Sequence, residues 1–540
     1  MTSDVTNNLA GMPQGLSQVM NLGNLLTQTA RKYPDLPGLI HGDKDGDKSY
    51  SWQQINTRVD ALAQHLKTLG IQPGDRVLVQ MTNGLPLFES CWACFKLGAV
   101  WVPINHRLTP VEVAYIAQSS GAVLMLTQAA FDAHVQAAQA AATTLRHVIR
   151  SDDLAYEAAV AIQGAPFEAA EVTANHPLWF FYTSGTTGQP KAAVLTHEQM
   201  AFVVNNHLAD LLPGLTERHA SLVVAPLSHG AGIHALLNVA RGAASVLLPG
   251  NSLDCTAAFA AIEKYRVTNM FTVPTILKRL AEDPAAAQFD HSSLKHVIYA
   301  GAPMSQADQR KALSVLGAVI VQYFGLGEVT GNITVLRADE HAEGGGALLG
   351  SCGTARCGME VAVLGDDCTP LPAGQQGELC TRGPAVFAGY WNNPDANAKA
   401  FAGGWFHTGD LGVMDARGFV TITGRSSDMY ISGGSNVYPR EIEEALRSMP
   451  SLLDAVVFGI ADDQWGEVGV AVLVARDANA PPAADSVLAH LEPKLAKYKW
   501  PRHIAFWPEL PTSAYGKLVK KDIRAEYLKR QAVQRPVRAM

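Results

Sequence analysis

A multi-domain α/β architecture is predicted by three features of this sequence. Its 540 residues exceed what one hydrophobic core serves, so about three or four folded units are expected. Through roughly the first three hundred residues helical patterns alternate with short β-rich runs, the texture of mostly parallel sheets covered by helices. From about Gly350 the chain turns to short strands broken by Gly and Pro, and after Gly424 to a compact mixture of both element types.

The elements follow in order. Residues 76–81, 123–127, 221–225, 270–273 and 297–300 are apolar runs of strand length. Cys91 and Cys94 form a C-x-x-C, but Trp92, Ala93 and Phe95 place it in an apolar helical stretch, where packing is the expected role. The Ala-rich run 129–144 reads as a surface helix. Trp179-Phe180-Phe181-Tyr182 is a buried-strand pattern, and residues 192–196 return to strand character after an intervening loop. Residues 332–336 read as a strand, and 360–364 and 378–382 as strands of a smaller β-rich unit. Beyond Gly424, helices at 441–449 and 485–496 and strands at 455–459 and 469–474 make a separate α+β domain. The last ten residues read as a frayed basic tail, and no repeat of solenoid or propeller period is present.

A net charge of -7 gives no general attraction to nucleic acid or to an anionic membrane, so any phosphate binding must be local. The N-terminus lacks a basic start followed by an apolar run, and apolar stretches such as 178–182 are too short to span a bilayer. Seven cysteines without framework spacing fit a reducing compartment. A soluble, cytoplasmic protein is expected.

The loop between the two strands carries the first chemical signal. Thr183-Ser184-Gly185-Thr186-Thr187-Gly188-Gln189-Pro190-Lys191 combines hydroxyl donors, glycines that let a backbone approach closely, and a cation, which together can wrap phosphate oxygens. A plain tight turn seldom collects these residues in this order. The spacing is not that of a Walker loop, and no helix follows. A weaker glycine pattern, Gly325-Leu326-Gly327-Glu328-Val329-Thr330-Gly331, loosely mimics a dinucleotide fingerprint. Glu328 would repel a pyrophosphate there, and the following run is a strand, whereas a helix N-terminus is required. The same carboxylate suits a magnesium ion.

Together these segments resemble the superfamily of adenylate-forming enzymes: acyl-CoA synthetases, aryl-CoA ligases, peptide-synthetase adenylation domains and beetle luciferase. After the loop come Pro226-Leu227-Ser228-His229-Gly230, Ala300-Gly301-Ala302-Pro303-Met304 and Gln322-Tyr323-Phe324-Gly325-Leu326-Gly327-Glu328. Gly377-Glu378-Leu379, Trp405-Phe406-His407-Thr408-Gly409-Asp410-Leu411 and Gly424-Arg425 follow. Gly433-Gly434, Pro439-Arg440-Glu441-Ile442-Glu443, Trp465-Gly466-Glu467, Tyr498-Lys499-Trp500-Pro501 and Gly516-Lys517 complete a series covering nearly the whole chain. Any one motif is weak; the order is specific.

The resemblance implies an N-terminal domain at 1–424, made of two α/β subdomains and a small barrel-like β-rich subdomain. A hinge at 425–428 and a small mobile α+β domain at 429–540 complete the expected layout. It implies ATP, Mg2+ and CoA as the molecules handled, with a small carboxylic acid as substrate. The loop residues Thr183, Ser184, Gly185, Thr186, Thr187, Gly188 and Lys191 would hold phosphates. Gly301, Ala302, Pro303, Tyr323, Phe324, Gly325, Asp410 and Arg425 would line the rest of the nucleotide site, Asp410 on the ribose and Phe324 against the adenine. Glu328 is the implied magnesium ligand and Lys517 the lysine that bridges carboxylate and α-phosphate. Gly433, Gly434 and His229 would face CoA, and His229, Ala300, Gly301, Tyr323, Gly325 and Gly327 the acyl group.

This chemistry needs charge neutralisation more than acid–base help, because the carboxylate nucleophile is already ionised. His229 is therefore read as a gate beside the thiol path. Three departures from the family pattern stand out. Ser427 occupies the pivot where relatives carry Asp or Lys, Gly327 replaces a phosphate-contacting Thr, and Tyr323 replaces a Gly and should narrow the acyl pocket. Gly325, where acetate-specific relatives have Trp, should leave that pocket deeper than acetate requires. The expected activity is an AMP-forming acid:CoA ligase for a medium-sized aliphatic or aromatic acid, acting as a monomer or homodimer. An enzyme loading a carrier protein is the alternative within the superfamily, and a nucleotide-binding oxidoreductase the alternative outside it.

Overall fold

The computed structural model describes residues 18–42, 46–183, 189–250, 252–425, 427–432, 435–462, 464–512 and 518–534. Strands Pro177–Thr183 and Lys191–Thr196 pair antiparallel, with Thr183 directly opposite Lys191, so the predicted hairpin is present. The pair ends a sheet that continues through Val100–Pro103, Arg76–Val79, Leu124–Thr127 and His147–Arg150, all parallel. Parallel strands buried on both faces read as continuous apolar runs, which is why these segments were legible. Thr196 ends the hairpin and caps helix His197–Asp210 through a capping box with Gln199, turning the chain from strand to helix.

Two compact units make up the chain: Met1–Phe271 with Gly327–Thr330 and Pro384–Pro394, and Thr272–Leu326 with Gly331–Gly383 and Asp395–Met540. The first unit holds the hairpin sheet and a second run of strands ordered Asn269–Thr272, Ala220–Val223, Ala244–Leu247, Pro37–His41 and Lys48–Ser51. Helix Leu85–Leu97 is buried almost all round, and burial pushes the thiols of Cys91 and Cys94 up, as expected of packing cysteines. Its one buried cation, Lys96, is held by Asp60 at 2.5 Å and Asn56 at 2.7 Å on helix Trp52–Thr68. Removing the Asp60 carboxylate would leave that charge uncompensated in the core.

In the second unit His296–Tyr299 and Ile320–Phe324 run parallel, followed by antiparallel Thr334–Leu336 and Thr354–Ala355. The β-rich segment is an antiparallel meander of Glu360–Leu364, Gln376–Arg382, Phe406–Met414 and Val420–Arg425. These four strands are the small β-rich subdomain the sequence predicts.

The C-terminal α+β part is built on strands Leu452–Asp462 and Gly466–Ala475. Ala455 and Val457 face one core with Ile442 and Leu446, while Val456 and Phe458 face another with Trp507 and Ile523. The period of two thus buries both faces. The predicted helix at 485–496 is shorter, Ala484–Leu491; Glu492 still has helical backbone, and Pro493 after it has no N–H to donate to the preceding turn. Helix Lys520–Gln534 takes up the start of the expected tail. No described helix is long and apolar enough to cross a membrane.

Candidate active site

The mouth of the hydroxyl-rich loop is closed by the Thr183 and Lys191 pair. Ser184, Gly185, Thr186, Thr187 and Gly188 lie outside the described residues, as do Gly433, Gly434 and Lys517. What the first unit assembles around that mouth is specific. Glu328, 4% exposed, sits in the short helical turn Gly327–Val329. Its Oε1 accepts from the Thr183 hydroxyl at 3.0 Å and from the Tyr390 hydroxyl at 2.9 Å. Burial first, and the Glu328 carboxylate second, push the Tyr390 phenol far up, so it stays a donor. The Lys191 ammonium lies 5.1 Å from the centroid of the Tyr390 ring.

Tyr390 was not foreseen. It arrives because Val194 N–H donates to Gly389 O and Trp391 N–H to Ala192 O, laying this distant segment along the hairpin edge. The sequence offers only an aromatic pair after a glycine, in a stretch far from the loop.

Gly327 has no room for a side chain. A Cβ there would stand 2.6 Å from Phe181 Cδ1 and 2.9 Å from Thr183 Cγ2. The Phe181 ring, buried in the hairpin, also packs on His229 at a centroid distance of 4.4 Å. Where relatives carry a Thr, this chain has put an aromatic ring. Thr183 is committed to Glu328, so it does not serve as a freely available replacement donor. Gly327→Thr is therefore expected to lower acyl-adenylate formation, and a second change, Phe181→Leu, to recover part of the loss. A pyrophosphate-exchange assay of both proteins checks this; an increase with Gly327→Thr alone would contradict it.

His229 precedes helix Gly230–Arg241 in a tight turn, its N–H donating to Pro226 O at 3.1 Å. Behind it His234 stacks on Phe271, ring centroids 4.5 Å apart, and a Cβ on Gly230 would meet Phe271 at 2.8 Å. The turn is thus lined by aromatic rings.

The second unit holds the remaining predicted residues. Ala300 is buried at the end of strand His296–Tyr299, while Gly301, Ala302 and Pro303 are exposed just after it. Phe324 packs on Cys352, Val363, Leu379 and Val420. Tyr323 is 7% exposed, and its ring lies so close to Gly331 that a Cβ there would meet Cε2 at 2.3 Å. A Cβ on Gly325 would meet Gly331 Cα at 2.5 Å. Both residues are thus spent on packing against Gly331, and the small size of Gly325 serves a backbone contact.

Asp410 and Arg425 are cross-strand partners, Arg425 Nε donating to Asp410 Oδ1 at 2.8 Å. Burial raises the Asp410 carboxyl above the usual range against the pull of Arg425 and Arg440. Oδ1 is engaged by Arg425. The turn before Asp410 is fixed by Thr408 Oγ1 donating to Leu379 O at 2.6 Å and Gly409 N–H donating to Glu378 Oε1 at 2.8 Å. Ser427 is exposed in the turn after Arg425, where Asp428 N–H and Met429 N–H both donate to Arg425 O. Lys520, three residues beyond Lys517, is tied to buried Glu443 at 2.8 Å and to Asp428 at 3.5 Å. Burial pushes the Glu443 carboxyl up, yet Lys520 and Arg447 bring it below the usual range.

A hard oxygen set, the Glu328 carboxylate with two hydroxyls, fits a magnesium ion that also takes phosphate oxygens. Comparison with known proteins agrees in kind. The model of a family described as AMP-binding enzyme matches residues 26–391, and that of the AMP-binding enzyme C-terminal domain residues 441–517. A feruloyl-CoA synthase of an Amycolatopsis species is 34% identical over 515 residues, 94% of this chain and 99% of the relative. A long-chain-fatty-acid–CoA ligase of Mycobacterium tuberculosis is 33% identical over 511 residues, 94% and 98% respectively. The ATP-bound structure of MatB from Rhodopseudomonas palustris superposes with a TM-score of 0.84 at 27% identity, covering 94% of this chain and 99% of that one.

Proposed function

This chain belongs to the AMP-binding enzyme family, and from that premise we propose how its residues divide the work. The enzyme is an AMP-forming acyl-CoA synthetase. A carboxylic acid and ATP give acyl-AMP and pyrophosphate; CoA then gives acyl-CoA and AMP. The observation that carries the residue assignment is the Glu328 carboxylate, gripped by two hydroxyls at the mouth of a loop rich in phosphate donors.

In the first step the substrate carboxylate attacks the α-phosphorus and the bond to pyrophosphate breaks. No base is required. The obstacle is an anion meeting a polyanion, and the loop from Thr183 to Lys191 with Lys517 supplies donors and positive charge where negative charge develops. Glu328, with Thr183 and Tyr390 around it, holds Mg2+, which when bound neutralises phosphate charge. Asp410 offers an oxygen to the ribose, Arg425 orients that carboxylate, and Phe324 with Gly301, Ala302, Pro303, Tyr323 and Gly325 forms the base side of the site. In the second step the CoA thiol, of ordinary pKa about 8.5, loses its proton to solvent and attacks the acyl carbon, and AMP leaves.

Gly433 and Gly434 bring the C-terminal domain over CoA in this second step, turning about Ser427, and Lys517 withdraws. Ser427→Pro is expected to leave pyrophosphate exchange measurable while thioester synthesis falls at least tenfold; unimpaired thioester synthesis would remove the hinge assignment. His229 gates the thiol path. His229→Ala should reduce thioester formation about tenfold more than pyrophosphate exchange, and equal losses would end the gating idea.

The rings of Phe181, His229, His234 and Phe271 around one turn support an aromatic or medium-sized aliphatic acid, because an aromatic-lined wall favours flat or apolar partners. The protein acts in the cytoplasm, as a monomer or homodimer. A panel of aryl, medium-chain and short-chain acids, read as CoA-dependent AMP release, tests the reading. Highest kcat/KM on acetate would refute the acid class. AMP release only with an acylated carrier protein would point to the loading enzyme, and a nicotinamide absorbance change to an oxidoreductase.

A further inference from the structure

Behind the turn that carries Asp410, three potential metal ligands converge. Cys380 and His407 are directly opposed on the antiparallel strands Gln376–Arg382 and Phe406–Met414. A register shift between Glu378 and Cys380 brings Glu378 to the same ring. His407 Nδ1 is 2.8 Å from Glu378 Oε2 and 3.5 Å from Cys380 Sγ, and the three ligand atoms lie within 4.8 Å of one another. Cys380 is fully buried, whereas the side chains of His407 and Glu378 are 16% and 29% exposed, giving an entry path along Glu378.

The other ring nitrogen settles the tautomer. His407 Nε2 is 3.0 Å from Ala402 O, which can only accept, so Nε2 carries a proton. Nδ1 is therefore the nitrogen that faces the Glu378 carboxylate. An Nε2–H held by a backbone carbonyl is the usual support for a metal-ligating histidine. Arms of about 2.0 Å to nitrogen and 2.3 Å to sulfur at a tetrahedral angle subtend about 3.5 Å, and the Nδ1 to Sγ distance is 3.5 Å. Only Glu378 would have to swing, opening its contact by about 0.6 Å to reach an oxygen arm of about 2.1 Å. Cys368 Sγ sits 3.9 Å from Nε2, on the wrong edge of the ring to join.

We propose that Glu378, Cys380 and His407 form a three-ligand site for a borderline-soft divalent cation of the zinc class, with its fourth position open. The exchange balances in charge: the ion enters as the thiol proton of Cys380 leaves, and its two positive charges are met by the thiolate and the Glu378 carboxylate. Glu378 Oε1 also holds Gly409 N–H at 2.8 Å. An ion here would therefore brace the turn that presents Asp410.

The test uses full-length protein, stripped with a chelator and free of nucleotide, titrated with Co2+. The expected result is one equivalent bound with a thiolate-to-cobalt charge-transfer band, displaced by one equivalent of Zn2+, with the thiol proton released. Cys380→Ser should abolish the band, Glu378→Gln should weaken binding at least tenfold, and Cys357→Ser, altering an exposed thiol elsewhere, should keep both. Absence of the band, its survival in Cys380→Ser, or binding without proton release would overturn the proposal and leave a histidine–carboxylate pair beside a buried thiol. If Cys380→Ser fails to fold, proton release by the unaltered protein and the affinity of Glu378→Gln decide.

Discussion

Glu328→Gln is expected to lower the rate of acyl-adenylate formation by about 10³-fold, about 4 kcal/mol of transition-state stabilisation. The amide keeps an acceptor oxygen for the Thr183 and Tyr390 hydroxyls, which now meet at Oε1 at 3.0 and 2.9 Å, so the local fold should survive. What is lost is the negative charge. A neutral ligand binds magnesium more weakly, so the deficit should shrink as magnesium is raised, and the magnesium concentration giving half-maximal rate should rise at least tenfold. Pyrophosphate exchange across a magnesium series measures both. A variant within fivefold of the parent at every concentration would show that Glu328 is merely a buried partner of two hydroxyls. Tyr390→Phe separates the two roles further, because it leaves the charge and removes one donor. It should cost about ten- to a hundredfold, the scale of one hydrogen bond to a charged group.

Much of this arrangement was legible before any coordinates, for identifiable reasons. Strands such as Val100–Pro103 and Leu124–Thr127 are buried on both faces and announce themselves as apolar runs. The loop from Thr183 to Lys191 announces itself by composition, since only a few residue types can approach phosphate closely. Long-range partnership was not legible. Tyr390 reaches Glu328 through backbone hydrogen bonds to the hairpin edge, and nothing in the local sequence around residue 390 encodes that approach. Periodicity also could not show how far the helix after Ala483 would run, although Pro493 was in view.

The glycines show a different limit. Gly325 and Gly327 were read as openings, one for a deeper acyl pocket and one for a missing donor. In the structure the first is filled by Gly331 backbone and the second by the Phe181 ring. A small residue signals that something comes close; it does not say whether that something is substrate or protein. Tyr323 makes the complementary point, because its bulk is absorbed by Gly331, whose φ of 78° already favours a residue without a Cβ. Substrate choice in this enzyme is therefore better sought among the rings around His229 than at the positions where the sequence departs from its relatives.

Lys517→Ala should split the two half-reactions more sharply than any other single change. An ammonium aimed at charge that develops only in the adenylation transition state is worth about 10²–10³-fold, roughly 3–4 kcal/mol. The second step needs no such cation, because the thiol attacks an acyl group already activated by AMP. Acyl-CoA synthesis from acid and ATP should fall by that factor, while acyl-CoA synthesis from supplied acyl-adenylate stays within about threefold of the parent. Position matters as much as charge. Lys520, at the start of helix Lys520–Gln534, is anchored to Glu443 at 2.8 Å, and Glu443 in turn accepts Val457 N–H at 2.8 Å from strand Leu452–Asp462 of the C-terminal sheet. The helix that follows Lys517 in the chain is thus tied to the core of the C-terminal part. Lys517→Arg, which keeps the charge but changes its reach and shape, should recover less than a tenth of the lost rate. Full recovery would mean that the site needs only local positive charge, and equal loss in both half-reactions would place Lys517 in folding or CoA binding instead of adenylation.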